Sequence, residues 1–203
     1  MSKATCCDAQ LSVDPHRRAR HAASMSKVIW HVTMSLDGFI AGPDHAMEWV
    51  SEHGDSSPVG SDVMNTTGAI LGGRRWYDIA TRRYDGRAGI YGGAWKGPVF
   101  VLTHEPPHDP EDAEITFLTS RTRDAVATVR AAAGERNVEI FGATTAQGVL
   151  REGLLDEVVI HLAPVLLGDG VRLYGDGMPP VALERTELVE AGQLTSMRFA
   201  VTL

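Results

Sequence analysis

The sequence predicts an α/β fold: a mixed, mostly parallel central sheet with helices on both faces and an antiparallel C-terminal hairpin. Three observations carry this prediction. Short apolar runs alternate with stretches of helical spacing from Lys27 onward, the pattern of strand–helix–strand units. Several runs, such as Ala69-Ile70-Leu71 and Val99-Phe100-Val101-Leu102, are continuously apolar, as strands covered on both faces are. The chain end differs: Leu183–Glu190 and Leu194–Leu203 flank Ala191-Gly192, and Thr195, Met197, Phe199, Val201 and Leu203 make one mostly apolar face at period two.

Taken in order, Lys27–Thr33 reads as a strand, Ser61–Thr67 as a short helix, and Ala69–Leu71 as a buried strand ending at Gly72-Gly73. Arg74–Ala80 opens a helix. The Gly-rich run Gly86–Gly97, which holds Tyr91 and Trp95, is the longest irregular insertion and is expected to be a mobile flap. Pro98–Thr103 is a strand stopped by Pro106-Pro107, and Ile115–Leu118 is another. Arg121–Ala133 has apolar residues at Ala125, Val126, Val129 and Ala132, a helical spacing that Gly134 terminates. Asn137–Phe141 is a strand, Thr144–Glu152 a helix closed by Gly153, and Glu157–Leu162 a strand.

Composition narrows the class of protein. A chain of 203 residues is long enough to bury a full core, and 43% apolar with 22% charged residues is ordinary for a globular domain. Its net charge of −7, with no concentrated basic stretch, disfavours a nucleic-acid partner. No apolar run is long enough to span a bilayer, so no membrane partner is expected. The two cysteines, Cys6 and Cys7, form no disulfide framework, which points to a reducing, cytoplasmic setting. Residues 1–24, polar and locally basic, read as a flexible extension, and 25–203 as one domain without a separating linker.

The stretch Ser35-Leu36-Asp37-Gly38-Phe39-Ile40-Ala41-Gly42 places two large apolar residues between turn signals. Either Phe39 and Ile40 fold over a flat ligand, or they staple the loop to the core. Three strand ends then share one device. Gly73-Arg74-Arg75 and Gly142-Ala143-Thr144-Thr145 each follow a strand and open a helix, and Thr103-His104 follows a third strand. Glycine lets backbone approach a ligand closely, and the free N–H groups of a helix start favour phosphate. Any one of these is as readily an ordinary turn or cap. Three along the ligand-binding edge of a parallel sheet point to an extended ligand with several phosphates, a dinucleotide. There is no G-x-G-x-x-G fingerprint and no acidic ribose residue; an arginine beside the site suits a 2′-phosphate and hence NADPH.

These landmarks carry a resemblance. From about Lys27 to the C-terminus the chain resembles the dihydrofolate reductase superfamily, in particular the branch containing the reductase domain of the bifunctional riboflavin-biosynthesis enzyme (RibD C-terminal-like). The matching segments are Ser35–Ala41, Gly73-Arg74-Arg75, Phe141–Thr144, Leu155-Asp156-Glu157 and, most specifically, Ala163-Pro164-Val165-Leu166-Leu167-Gly168. The resemblance implies a three-layer NADPH-binding fold, often a homodimer, that reduces a small pteridine- or pyrimidine-derived substrate. It implies backbone contacts from Thr33 and Ile40 to the nicotinamide carboxamide. It further implies phosphate contacts from Gly73, Arg74 and Arg75, a 2′-phosphate site at Thr103 and His104, and a pyrophosphate turn at Gly142, Ala143, Thr144 and Thr145. The riboflavin enzymes usually carry Lys where this chain has Phe39, and often a second glycine where it has Ala143. Phe39 suits a flat or apolar substrate better than a ribose phosphate.

Hydride reduction of a C=N or C=O bond also needs a proton. Asp37, Glu48 and Asp55 are the carboxylate candidates, although Asp37 equally suits a cap on its own turn. Phe39, Trp49 and Tyr77 are the expected substrate contacts, with core packing as the alternative for Trp49. His161 alternates with apolar residues and reads as a satisfied core histidine, and no histidine pair has metal-ligand spacing. Two alternatives stand beside the general reductase reading. One is the riboflavin-pathway reductase acting on 5-amino-6-(5-phosphoribosylamino)uracil. The other is a non-catalytic NADP-binding sensor or scaffold.

Overall fold

The computed structural model describes residues 26–53, 57–110, 112–175 and 177–202. The extension at residues 1–24 and Asp55 therefore lie outside the described residues. The sheet has eight strands: β1 (Val28–Ser35), β3 (Thr67–Gly73), β4 (Val99–Leu102), β5 (Ile115–Leu118), β6 (Asn137–Phe141), β7 (Glu157–Ala163), β9 (Ala182–Ala191) and β10 (Leu194–Thr202). Their order is β5-β4-β3-β6-β1-β7-β10-β9. The first six run parallel, β10 runs antiparallel to β7, and β9 pairs antiparallel with β10. This is the predicted mixed sheet with its C-terminal hairpin. Two short strands, β2 (Phe39–Ala41) and β8 (Val171–Arg172), form a separate pair that the sequence did not reveal.

Alternate residues of each strand face opposite layers. One face carries Val28, Trp30, Ala69, Leu71, Val138, Ile140, Val158 and Ile160 under the helices Thr122–Ala133 and Ala143–Arg151. Call the five helices in chain order α1 (Glu48–His53), α2 (Pro58–Thr66), α3 (Arg74–Arg83), α4 (Thr122–Ala133) and α5 (Ala143–Arg151). On the other face Val59 and Val63 of α2 cover Ile29 and Val159. Further along the same face, Tyr77 of α3 and Ile90 and Trp95 of the Gly-rich segment cover Ile70, Val99, Val101 and Ile115. Between these two apolar patches lies a strip of polar side chains described below.

The Gly86–Gly97 run is anchored rather than detached. Its first part is a distorted 3-10 stretch, Gly86–Gly93, with Ile90 buried. Trp95 is 7% exposed, and its indole N–H donates to the Thr67 carbonyl at 3.1 Å.

Close packing of α4 on β3 requires a glycine. A Cβ at Gly68 would sit 2.6 Å from the Ala133 carbonyl oxygen and 2.7 Å from Arg136 Cβ. The first of these is backbone and cannot swing aside. Gly68→Ala is expected to destabilise the fold by about 1–3 kcal/mol, the usual cost of overpacking. Denaturant unfolding checks this, and a midpoint equal to wild type would contradict the packing.

Candidate active site

The C-terminal edge of the sheet opens into a cavity of about 1520 Å³. Its origin is a mismatch in strand length. β1 pairs with β6 only as far as Trp30↔Ile140, whereas it pairs with β7 through Ser35↔Ala163. Beyond Trp30, one edge of β1 has no strand partner, because β6 has ended at Phe141 and turned into α5. Backbone polar groups along Val32 and Thr33 are thus open toward the cavity that both residues line.

Two helix starts face the same space. α3 begins after Gly73 and α5 after Gly142, and neither N-cap residue has a side chain to occupy the free N–H groups. Gly142 stands at φ 91°, a conformation that side chains disfavour. The two starts touch: a Cβ at Gly73 would lie 2.4 Å from Thr145 Oγ1. Trp76 packs edge-on against Phe141 at 5.2 Å and holds the starts together from below. Gly73, Arg74, Arg75, Ala143, Thr144 and Thr145, all singled out in the sequence, line the cavity.

Positive charge collects around this opening despite the acidic chain. Arg74 is fixed by Asp78 at 2.8 Å and by the Glu105 carbonyl. Arg75 is exposed and, among the described residues, enters no ion pair. The sequence reading missed Ser120, Arg121 and Thr122, which reach the cavity from the start of α4, and Arg151 at the end of α5. The end of β5 offers no glycine or other turn signal that would mark it as a ligand contact. Thr103 and His104 also line the cavity, with the Thr103 hydroxyl donating to the Glu105 carbonyl at 3.0 Å.

The other proposed site residues divide. Thr33, Ile40 and Glu48 reach the cavity wall. Glu48 lies at the start of α1 and accepts a hydrogen bond from Tyr84 at 2.9 Å; its own helix-start N–H and Tyr84 lower its pKa. Phe39, Trp49 and Tyr77 are not on that wall. Phe39 is 4% exposed, with the Arg172 guanidinium 4.6 Å above its ring. Trp49 packs with Ala163 and Leu194, and Tyr77 stacks edge-on with Phe117 at 5.2 Å. Apolar burial turns all three inward, so the structure places none of them where a substrate contact was expected.

Asp37 serves as a clamp. It accepts from Ser35 Oγ at 2.6 Å, from the Gly168 amide at 2.7 Å and from the Leu167 amide at 3.1 Å. The Ser35 hydroxyl first, then the Gly168 amide, lower its pKa to about 2. Among the described residues no group of His, Cys, Asp and Glu is arranged to hold a metal ion, and no helix is long and apolar enough to cross a membrane.

A parallel sheet with two touching, uncapped helix starts beside several arginines is an arrangement whose free N–H groups and positive charge suit an anionic group at the strand ends. Comparison with known proteins specifies the class further. The RibD C-terminal domain model matches residues 26–196, and the chain belongs to that family. It is 23% identical over 177 residues to the uncharacterized protein YwjB of Bacillus subtilis, covering 85% of this chain and 97% of that protein. It is 24% identical over 180 residues to the riboflavin biosynthesis protein RibD of Mycobacterium tuberculosis, covering 82% of this chain and 51% of that protein. The chain thus spans about half the length of that relative. A Shewanella sp. PV-4 structure described as a riboflavin biosynthesis protein superposes with a TM-score of 0.73 at 24% identity, covering 87% of this chain and 99% of that one.

The Asp37 clamp has a pH signature. A carboxyl whose pKa is depressed on folding stabilises the fold above its ordinary value of 3.8, and that stabilisation is lost as pH falls through about 2. Asp37→Asn is therefore expected to unfold more easily than wild type at neutral pH, with the difference shrinking between about pH 4 and pH 2. Chemical denaturation across this range checks it, and a difference independent of pH would remove the carboxylate from the clamp.

Proposed function

We propose that this protein is an NADPH-dependent reductase that transfers a hydride to a small pteridine- or pyrimidine-like heterocycle. The observation that carries this reading is the pair of touching, uncapped helix starts at Gly73 and Gly142 beside the unpaired edge of β1. A pyrophosphate fits the first feature and a carboxamide the second. Gly73, Gly142, Thr144 and Thr145 would hold the pyrophosphate by backbone and hydroxyl groups, and the Thr33 and Ile40 backbone would hold the nicotinamide carboxamide. Arg75 and Arg121, with Thr103, His104 and Ser120, supply the charge and donors that a 2′-phosphate needs. When bound, the cofactor supplies a hydride from C4 of its nicotinamide ring.

Size supports a second occupant. Pockets for one drug-sized ligand occupy roughly 300–1,000 Å³, and this cavity is larger at about 1520 Å³. Its remainder runs past Thr33 to His31, Ile90 and Tyr91 on one side and to His45, Met47 and Glu48 on the other. These residues offer ring and carboxylate hydrogen-bonding groups beside the apolar Ile90 and Met47, a mixture that suits a planar heterocycle with ring nitrogens.

Trp76 lines the cavity, so NADPH is expected to quench tryptophan fluorescence more strongly than NADH at equal concentration. Losing one charge-assisted contact costs about 1.5–3 kcal/mol. Arg75→Ala and Arg121→Ala should each therefore weaken NADPH about tenfold or more while leaving NADH nearly unchanged. No response to either nucleotide would overturn the cofactor assignment, and equal losses for both would overturn the 2′-phosphate contact. Oxidation of NADPH with dihydrofolate or with 5-amino-6-(5-phosphoribosylamino)uracil separates the two substrate classes, and binding without turnover of either favours the non-catalytic module.

A further inference from the structure

The floor of the cavity carries ionisable groups that neither nucleotide binding nor core packing explains. His31 of β1, Glu139 of β6 and His161 of β7 all line the cavity, and Tyr91 reaches them from the 3-10 stretch. His31 Nδ1 lies 2.9 Å from Glu139 Oε1 and 2.9 Å from the Tyr91 hydroxyl. Tyr91 donates to the same carboxylate oxygen at 2.7 Å, and Thr67 Oγ1 donates to the other at 3.1 Å. On the far side of the ring, His31 Nε2 is 2.6 Å from His161 Nε2, and His161 Nδ1 is 2.7 Å from Ser196 Oγ. The chain ends at Ser57, whose hydroxyl lies 2.6 Å from that of Ser196.

Proton counting shows what this arrangement stores. Glu139 is fully buried and meets only donors, so it accepts the Nδ1–H of His31. Two Nε2 atoms at 2.6 Å must share one proton, because two lone pairs or two N–H groups would repel. The serine hydroxyls can turn to satisfy His161 Nδ1 whether it donates or accepts. Burial, then the neighbouring His31, push the His161 pKa down to about 4. His161 is thus held toward its neutral form, and the His31 ring is the member of the pair that lies against the Glu139 carboxylate. Glu139, Tyr91 and His161 are the ionisable groups in contact with His31. α2 passes over the pair at Gly60, where a Cβ would come 3.2 Å from His161 Nε2.

Among the described residues, the two carboxylates that the sequence singled out as acids, Asp37 and Glu48, are otherwise engaged. Asp37 is committed to the Leu167 and Gly168 amides, and Glu48 is held in its charged form at the start of α1. We propose that His31, oriented by Glu139 and His161, is the general acid of the reduction, giving the proton it shares with His161 to a substrate nitrogen or oxygen. This rests on the reductase reading. As the π bond of the substrate C=N or C=O breaks, its carbon takes the hydride and its heteroatom replaces His161 Nε2 as the acceptor of the His31 proton. His31 is left neutral with Nδ1–H still on Glu139, and solvent reprotonates it when product leaves. One hydride and one proton are added in total, and the substrate class is one whose reducible heteroatom can reach the face of the sheet.

The deciding measurement is ¹⁵N-histidine NMR of the NADPH-saturated full chain from pH 5 to 9, assigned with His31→Gln and His161→Gln. The expected result is a His31 ring that is doubly protonated in the lower part of this range and loses its Nε2 proton as pH rises, with His161 singly protonated throughout. A His31 ring that is neutral over the whole range overturns the proposal. Kinetics give a second reading, with dihydrofolate and 5-amino-6-(5-phosphoribosylamino)uracil as probes. His31→Gln should lower kcat about 100-fold or more, the usual weight of an acid catalyst, while NADPH affinity changes less than twofold. Because the acid must carry its proton to act, the wild-type rate should fall with rising pH, and that pH dependence should be lost in His31→Gln. Wild-type turnover by a folded His31→Gln also overturns the proposal. Absence of NADPH binding by the wild type sinks the underlying reductase reading instead.

Discussion

Everything functional in this fold depends on β1 being longer than one of its neighbours. Over its first half it is a central strand, paired on both sides, with Val28 and Ile29 fully buried. Over its second half β7 alone supports it, and the vacated edge becomes the wall of the cavity. A half-paired strand inside a sheet exposes backbone groups that want partners. The turn after β1 must therefore be held by something other than the ladder. The Asp37 carboxylate does this by bonding the amides of Leu167 and Gly168, and the Leu36 amide adds a bond to the Val165 carbonyl at 2.8 Å. The two most distinctive segments of the sequence, Ser35–Ala41 and Ala163–Gly168, are thus the two halves of one clamp. Their job is to hold the strand end in place while its edge stays open.

The sheet was legible because burial on two faces leaves a strong residue pattern. Asn137–Phe141 and Ile115–Leu118 match their observed strands, and the Thr122–Ala133 helix begins one residue after the predicted Arg121 start. The strand ends at Gly73 and Gly142 were legible for a local reason: glycine there answers a demand of the backbone, and local demands show in sequence. What escaped was direction. Phe39, Trp49 and Tyr77 sit among turn or site landmarks, yet each turns inward to bury its ring. A single residue's facing is set by its neighbours in space, here Arg172, Ala163 and Phe117. The arginine at position 121 was missed because it precedes an ordinary amphipathic helix, and only the fold brings the end of β5 to the cavity.

The polar strip beneath the cavity shows the same limit more sharply. His161 was read as a satisfied core histidine, and it is both buried and satisfied. Its partners, however, lie 130 and 35 residues away, so spacing in the chain could not join them. A usable signal did exist. His31, Glu139 and His161 are each an ionisable residue flanked directly by apolar ones within a buried strand. Three such interruptions in strands that pair side by side are harder to explain as accidents than any one of them.

Stability alone would not preserve that strip. Burying ionisable groups is costly, and apolar residues of similar volume would pack at least as well. The surroundings nevertheless make concessions to it. Tyr91 adopts φ 52°, a left-handed conformation that costs a side-chain-bearing residue roughly 1–2 kcal/mol, and Gly92 and Gly93 follow it at positive φ. This turn aims the hydroxyl at Glu139 rather than at solvent. α2 gives up a side chain at Gly60 so that the imidazole pair fits beneath it. Strain in the loop, a missing methyl in the helix and buried ionisable side chains in three strands converge on one point, beside the open edge of β1. Such concessions collect at functional sites, and here they mark the floor of the cavity as the place where the chemistry takes its proton.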